Sequence, residues 1–352
     1  MKNEIIIGKR TIGRGHPVYI VAEMSANHNR DFDNAVKIIH AAHAAGADAI
    51  KLQTYTPDTI TLDCNNEYFR IDKGTIWDGR SLYSLYKEAY MPWEWQPKLK
   101  EVAESIGIDF FSAPFDFSSV DFLEKLEIPV YKVASFEVID IPLLKRIAQT
   151  KKPIIMSTGM ATLVEIDEAV DAVKTGGCDQ LALLKCCSAY PAPANHMNLK
   201  TIRHMSETFG IPAGLSDHTL GIAAAVTSVA FGACIIEKHF TLSRSLPGPD
   251  SAFSLEPDEF RSMVKNVREA EQAIGEIVYN SEHDRPNRAF RRSLFAVKDI
   301  EVGSVFTSEN VRSIRPGCGL KPKYLPDIIG QKATEPIKRG TPLEWKHIIR
   351  SN

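Results

Sequence analysis

The sequence predicts a closed (β/α)8 TIM barrel followed by a small β-rich domain. Short β-rich runs alternate eight times with amphipathic stretches over roughly 260 residues, the length such a barrel needs. The runs are also nearly continuous in apolar residues, as in Ile154-Ile155-Met156 and Leu181-Ala182-Leu183-Leu184, which suits parallel strands covered on both faces. An open doubly wound sheet would need a glycine fingerprint after its first strand. That strand instead ends Ala22-Glu23-Met24-Ser25-Ala26-Asn27-His28, with no glycine.

In chain order the strands are predicted at 18–24, 48–54, 109–115, 130–135, 153–159, 181–188, 212–218 and 234–240. The helices are predicted at 34–45, 96–106, 120–126, 143–149, 166–174, 199–209, 222–231 and 258–274. Amphipathic, helical spacing is clearest in those eight stretches. The Ala- and Gly-rich run from Gly221 to Ile236 reads as a buried helix entering a buried strand, being too short and too weakly apolar to span a bilayer. These elements make residues 1–275 the barrel domain. The polar stretch 276–292, carrying Arg285, Arg288, Arg291 and Arg292, reads as a linker. Residues 293–352 bring short runs punctuated by Gly303, Pro316-Gly317, Gly319, Gly330 and Gly340, the pattern of a small β domain.

Composition removes several classes of function. Lys and Arg number 42 against 44 Asp and Glu, so no global field attracts nucleic acid or a membrane surface, and any anion must be held by local groups. The arginines at 285–292 have no aromatic interleaving and are expected to be solvated or to contact another subunit. Six cysteines form no CxxC pair, which argues against a disulfide framework and against a thiolate zinc site. Ile5-Ile6-Ile7 is too short for a secretory signal, and a reducing, cytoplasmic location is expected.

In a (β/α)8 barrel the chemistry sits at the carboxyl ends of the strands, and here those ends are polar although the strands are not. Lys51 and Lys132, with hydroxyls from Ser112, Ser135, Ser157 and Ser216, supply what a phosphate or carboxylate-phosphate ligand needs. The plainer alternative is that these lysines pair with carboxylates inside the barrel. His218 and His239 fall on adjacent strands, with Glu23 close because strand one closes onto strand eight. That set suits Mn²⁺, Fe²⁺ or Zn²⁺ with positions left open, or two hydrogen-bonded structural histidines.

At these same residues the sequence resembles the sialic acid synthase family, which condenses phosphoenolpyruvate with an amino sugar. The resemblance lies in Ala22-Glu23 with Asn27-His28, Lys51-Leu52-Gln53-Thr54, Tyr131-Lys132-Val133-Ala134-Ser135, Met156-Ser157-Thr158-Gly159-Met160 and Tyr190-Pro191. It continues through Gly214-Leu215-Ser216-Asp217-His218-Thr219, Glu237-Lys238-His239-Phe240 and Pro247-Gly248-Pro249-Asp250. In the tail, Arg315-Pro316-Gly317-Cys318-Gly319 resembles the signature of the family's antifreeze-like (SAF, β-clip) domain. Within the family, Trp77-Asp78-Gly79-Arg80-Ser81-Leu82-Tyr83 and Tyr90-Met91-Pro92-Trp93-Glu94-Trp95 are most similar to the branch that makes pseudaminic acid from 2,4-diacetamido-2,4,6-trideoxy-L-altropyranose. The branches forming N-acetylneuraminate or legionaminate are the alternatives. A Schiff-base aldolase using Lys132, Lys185 or Lys238 is a more distant one, and a non-enzymatic role for the tail in binding ice or glycan is a third.

The resemblance implies phosphoenolpyruvate held by Lys51, Lys132, Ser135, Ser157 and Ser216. Ser188 stands where the N-acetylneuraminate branch has Asn, and Ala113 stands where a hydroxyl residue is common, making Ser112 its candidate substitute. It implies an acceptor sugar held by Gln53, Glu137, Tyr190, Asp250 and Arg315, and a divalent metal on His218 and His239, Mn²⁺ first with Mg²⁺ or Co²⁺ as alternatives. Glu23 and Glu137 are the candidate proton-handling carboxylates. The resemblance further implies a homodimer in which the tail of one subunit covers the partner's barrel, with no nucleic acid or membrane partner.

Overall fold

The computed structural model describes residues 1–72, 74–279 and 281–349. It divides into two compact units, Met1–Gly275 and Glu276–Asn352. In the first, eight parallel strands close a barrel: β3 (Tyr19–Glu23), β4 (Ala49–Thr54), β5 (Asp109–Pro114), β6 (Tyr131–Val133), β7 (Ile154–Ser157), β8 (Leu181–Cys186), β9 (Ala213–Asp217) and β10 (Ile235–His239). Closure is made by β10 beside β3, with His239 opposite Glu23. All eight predicted strands are present, and all but β4, which runs to Thr54 as predicted, end short of their predicted carboxyl limit. After β3 and β6 the chain turns at once into 3-10 turns at Ser25–His28 and Ser135–Glu137.

The outer helices are α1 (Phe32–Ala44), α4 (Gln96–Ile106), α5 (Phe117–Lys125), α6 (Ile141–Gln149), α7 (Leu163–Thr175), α8 (Lys200–Phe209), α9 (Ala223–Ala230) and α10 (Pro257–Ile274). Several start on side-chain caps. Asp31 accepts from the Asn34 N–H at 3.0 Å, and Thr162 with Glu165 forms a capping box on α7. Two further helices, α2 (Pro57–Ile60) and α3 (Leu82–Ala89), lie in the excursion between β4 and α4, where the sequence pattern predicts no element. The Ile5–Ile7 run, too short to be a signal, is one strand of a hairpin of β1 (Glu4–Ile7) with β2 (Arg10–Gly13). It buries Ile5, Ile7 and Ile12 in the barrel unit's core.

Strand alternation decides which side chains reach the interior. The ladders place Glu23 beside Lys51, Lys51 beside Phe111, Cys186 beside Ser216 and Ser216 beside Glu237, so these residues share the inner face. Lys238 and Asp217 are one position out of phase and face the helices.

In the second unit, 3-10 turns at Glu282–Asp284 and Pro286–Phe290 occupy the stretch read as a linker. Beyond them, β11 (Ser293–Ala296) pairs antiparallel with β12 (Val311–Ile314), and β13 (Lys332–Ala333) with β14 (Ile348–Ile349). Leu294, Phe306, Val311, Ile328 and Leu343 form this unit's own core, beside the short helix α11 (Leu325–Ile328). Among the described residues, no helix is long and apolar enough to cross a membrane.

Candidate active site

At the carboxyl ends of the strands the interior holds four buried charged groups in one network. Lys51 Nζ lies 2.8 Å from Glu23 Oε2 and 3.4 Å from Glu237 Oε1, and Lys132 Nζ lies 3.9 Å from the same Glu237 oxygen. Lys132 also donates to Ser157 Oγ at 2.7 Å and to the Val133 carbonyl at 2.9 Å, while Ser216 Oγ donates to Glu237 at 3.3 Å. Lysine pairing with carboxylates, the plainer sequence reading, is therefore what the interior shows. An arriving anion would compete with Glu23 and Glu237 for the same ammonium groups.

The electrostatics fit that competition. Burial pushes the Glu23 carboxyl up to about 7, against the pull of Lys51, so a proton there is nearly free to come and go at neutral pH. Glu237 goes the other way: burial would raise it, but Lys132 and Lys51 hold it below the usual carboxylate range. Lys51 is lowered by burial yet held above its ordinary value by Glu23 and Glu237. Lys132 stays lowered because burial outweighs Glu237. Glu137, at the rim, is pushed up to about 7 by burial against Lys132, and its Oε2 is buried without a hydrogen-bond partner.

A second chain of contacts runs from this network toward the rim. Gln53 Nε2 donates to Glu23 Oε1 at 3.0 Å and to Ser25 Oγ at 2.9 Å, and Ser25 donates to Asp250 Oδ2 at 2.5 Å. Burial raises the Asp250 carboxyl, the Ser25 contact opposing it. Gly248 lets this loop approach: a Cβ there would stand 2.6 Å from Asn29 Oδ1. Tyr190 stacks over His218 with ring centroids 4.3 Å apart, and touches Trp77 at 5.6 Å and Phe253 at 5.3 Å. Trp77 in turn donates its indole N–H to the Pro249 carbonyl at 3.2 Å.

On the anion side, Ser135 and Ser188 bring their hydroxyl oxygens to 3.0 Å, and Gly159 makes that approach available. Its φ is +46°, and a Cβ would sit 2.3 Å from Ser135 Cβ and 2.7 Å from Ser188 Oγ. Gly159→Ala is expected to cost about 1–3 kcal/mol of stability through strain and displaced serines. Urea denaturation checks this, and an unchanged midpoint would show that the loop can move away freely.

The two imidazoles face each other with centroids 5.3 Å apart. His218 Nδ1 lies 2.8 Å from the Cys187 carbonyl, which makes it the protonated nitrogen and leaves Nε2 with the lone pair. His239 Nδ1 is buried with no hydrogen-bond partner. Burial lowers His218 to about 4 and His239 well below the usual value, so both rings are neutral at pH 7. Among the described residues, no group of three or more His, Cys, Asp or Glu side chains is arranged to hold a metal. Two neutral, adjacent imidazoles, one with an unanswered nitrogen, fit two ligands of a divalent ion, the remaining positions being left to water and substrate.

Two sequence expectations need correction. Ser112 is out of phase with the interior: its Oγ meets Thr54 Oγ1 at 2.6 Å, and Thr54 donates to Gln96 on α4 at 3.0 Å. Ala113 is the residue that faces inward there, opposite Gln53, so this strand offers no hydroxyl to an anion. Lys185 and Lys238 likewise face out. Lys185 donates to the Cys186 carbonyl at 2.8 Å and Lys238 pairs with Asp217, which leaves only Lys132 of the three proposed Schiff-base lysines in the interior. Arg315 follows β12 in the second unit and is exposed. Sequence reasoning gave no role to Glu237, Ser25 or Cys186, whose Sγ lies 3.7 Å from His218 Nδ1. A carboxylate following Ile235-Ile236 inside a buried strand was the available signal for Glu237.

A closed barrel with paired buried lysines, a shiftable carboxylate and two neutral imidazoles at its carboxyl end, where barrels of this architecture carry their catalytic groups, is the framework of an enzyme. The NeuB family profile matches residues 38–279 and the SAF domain profile residues 291–349; the chain belongs to the NeuB family. It is 47% identical over 93% of its length to the pseudaminic acid synthase of Campylobacter jejuni, covering 95% of that protein. It is 43% identical over 95% of its length to the Helicobacter pylori pseudaminic acid synthase, covering 99% of it. Among solved structures, the N-acetylneuraminic acid synthetase of Leptospira borgpetersenii, in complex with citrate, aligns with a TM-score of 0.73 at 31% identity, over 82% of this chain and 95% of that one.

Proposed function

We propose that this chain is a pseudaminic acid synthase, condensing phosphoenolpyruvate with 2,4-diacetamido-2,4,6-trideoxy-L-altropyranose and water to give pseudaminic acid and phosphate. The observation that carries this is the buried Lys51, Glu23, Glu237 and Lys132 network beside two neutral imidazoles, in a chain 47% identical to a synthase of that name. Lys51, Lys132, Ser135, Ser157, Ser188 and Ser216 hold the donor anion. Gln53, Glu137, Tyr190 and Asp250 hold the acceptor.

His218 and His239 would hold a divalent ion, Mn²⁺ in the first instance, which would supply Lewis acidity to the acceptor's aldehyde. The enol carbon of phosphoenolpyruvate bonds to the aldehyde carbon, whose C=O electron pair moves to oxygen, and positive charge develops at the phosphate-bearing carbon. Glu23, with its carboxyl near 7, takes a proton from the water that adds there. In the resulting tetrahedral centre the new hydroxyl closes to the product's C=O as the bond to the phosphate oxygen breaks; phosphate leaves with that electron pair and takes the hydroxyl's proton, while the proton held by Glu23 passes to the acceptor's alkoxide. Lys51 and Lys132 hold the donor's negative charge throughout, in a site closed to bulk water.

The test is incubation with phosphoenolpyruvate, Mn²⁺ and a panel of mono- and bis-acetamido sugars, with the nine-carbon product identified by mass and NMR. The 2,4-diacetamido-6-deoxy acceptor is expected to give a kcat/KM about tenfold or more above that of N-acetylmannosamine, because Trp77 and Tyr190, the latter backed by buried Phe253, offer apolar surface to a methyl and an acetamido group. A preference for N-acetylmannosamine would assign the chain to another branch. Borohydride in the presence of substrate is expected to label no lysine.

We further propose a cytoplasmic homodimer in which Arg315 completes the partner's site. Phe136, Ile139, Met160, Leu163 and Val164, all following β6 or β7 at the mouth end of the barrel, are exposed apolar side chains that a partner would cover. Mixing inactive Arg315→Ala with inactive Lys51→Ala is expected to restore about a quarter of wild-type activity per subunit after random exchange, since each heterodimer keeps one intact site. No recovery, with exchange shown independently, places Arg315 in cis or outside the site.

A further inference from the structure

We propose that Lys238 and Asp217 form a positioning pair that fixes the separation of the two imidazoles. This rests on reading His218 and His239 as metal ligands. Lys238 Nζ lies 2.7 Å from Asp217 Oδ2, and both side chains are completely buried on the outer face of the barrel wall. The same ammonium donates to the Thr219 carbonyl at 2.5 Å, and Asp217 Oδ1 accepts the Thr219 N–H at 2.9 Å. One cation therefore grips the residues on either side of His218, while being itself the residue before His239. In the ladder Lys238 stands directly opposite Asp217, so the grip spans the strand boundary between the two rings.

A stability role alone does not account for this pair. Its neighbours on the same outer face, Ala22, Leu215 and Ile236, are apolar and fully buried, and apolar residues at 217 and 238 would avoid the cost of dehydrating two charges. What apolar residues cannot supply is a directional bond between the strands. His218 has a second restraint in the Cys187 carbonyl, but the Nδ1 of His239 has no partner, and its place depends on ring packing against Phe253 at 4.9 Å and on its own backbone. The ladder between β10 and β9 ends at Lys238 and Asp217, and the Lys238 side chain carries the tie one step further, to Thr219 beyond His218.

The experiment measures Mn²⁺ binding by calorimetry, and thermal unfolding without metal, for wild type, Asp217→Leu/Lys238→Met, Asp217→Asn and His239→Ala. The double variant keeps the net charge, so weaker binding in it is not a long-range electrostatic effect. It is expected to unfold at close to the wild-type temperature without metal and to bind Mn²⁺ about 10- to 100-fold more weakly. Asp217→Asn, nearly isosteric, is expected to keep the fold and show a smaller loss in the same direction, so the proposal can be judged even where the double variant fails to fold. If His239→Ala loses Mn²⁺ while both pair variants bind within about twofold of wild type, the pair serves only the fold and the proposal falls. If His239→Ala itself binds Mn²⁺ like the wild type, the metal reading fails instead.

Discussion

His239→Ala is expected to lower turnover by about three orders of magnitude, since the polarisation of a carbonyl by a bound ion is worth several kcal/mol and each ~1.4 kcal/mol is a factor of ten. Exhaustive chelation of the wild type is expected to do the same, reversibly on adding Mn²⁺. The pH dependence makes the expectation specific. An exposed imidazole would lose metal to protons as the pH falls through its ordinary value near 6.5, but burial holds His218 at about 4 and His239 well below that ordinary value. Metal affinity is therefore expected to stay level from pH 8 down to about 5 and to fall only as the pH approaches 4. Calorimetric titration across that range checks it; a midpoint near 6.5 would mean that the metal-binding histidines are other, solvated ones.

Lys51→Met is expected to reduce kcat/KM for phosphoenolpyruvate by about 10³-fold, because it removes a preorganised charge from a buried anion site. Stability should respond in a particular direction with pH. In the wild type Glu23 already titrates at about 7, above its unfolded value, so its ionisation opposes folding as the pH rises from 4.5 through 7. Without Lys51, Glu23 and Glu237 face each other with one cation gone and the raised carboxyl is pushed further up. The variant should therefore lose more unfolding temperature at pH 8 than at pH 6, where protonation relieves the repulsion. Equal losses at the two pH values would show that the lysine is not what allows these carboxylates to ionise.

The barrel and most of its site were legible because both are written in local patterns. Polar residues ending apolar runs marked Lys51, Lys132, Ser157, Ser216, His218 and His239, and strand closure placed Glu23 near the last histidine. What escaped was phase. Ser112 and Lys238 sit on strand ends like their neighbours, yet a one-residue shift in a pleated strand exchanges interior for exterior, and only the ladder partners Leu52 and Asp217 reveal it. Glu237 was visible as a residue but not as a hub, because its role comes from two lysines on strands distant in sequence. The β1–β2 hairpin was overlooked because its apolar triplet gave no sign of its partner strand. Helix α3 was overlooked because it lies in the long excursion after β4, outside the strand-helix repeat.

The seam where His239 meets Glu23 also governs the order in which the molecule can be assembled during synthesis. A nascent chain that has emerged only as far as β9 has two open sheet edges, an incomplete charge network and one of its two imidazoles, since Glu237 and His239 are still to come. The last strand must join the first across almost the full length of the unit, a contact whose loop-closure cost delays it until the other strands are in place. Catalytic competence and protection of the exposed edges of β3 and β9 therefore arrive in one late step. A ribosome-released fragment ending at residue 234 should aggregate rather than persist as a partly active barrel.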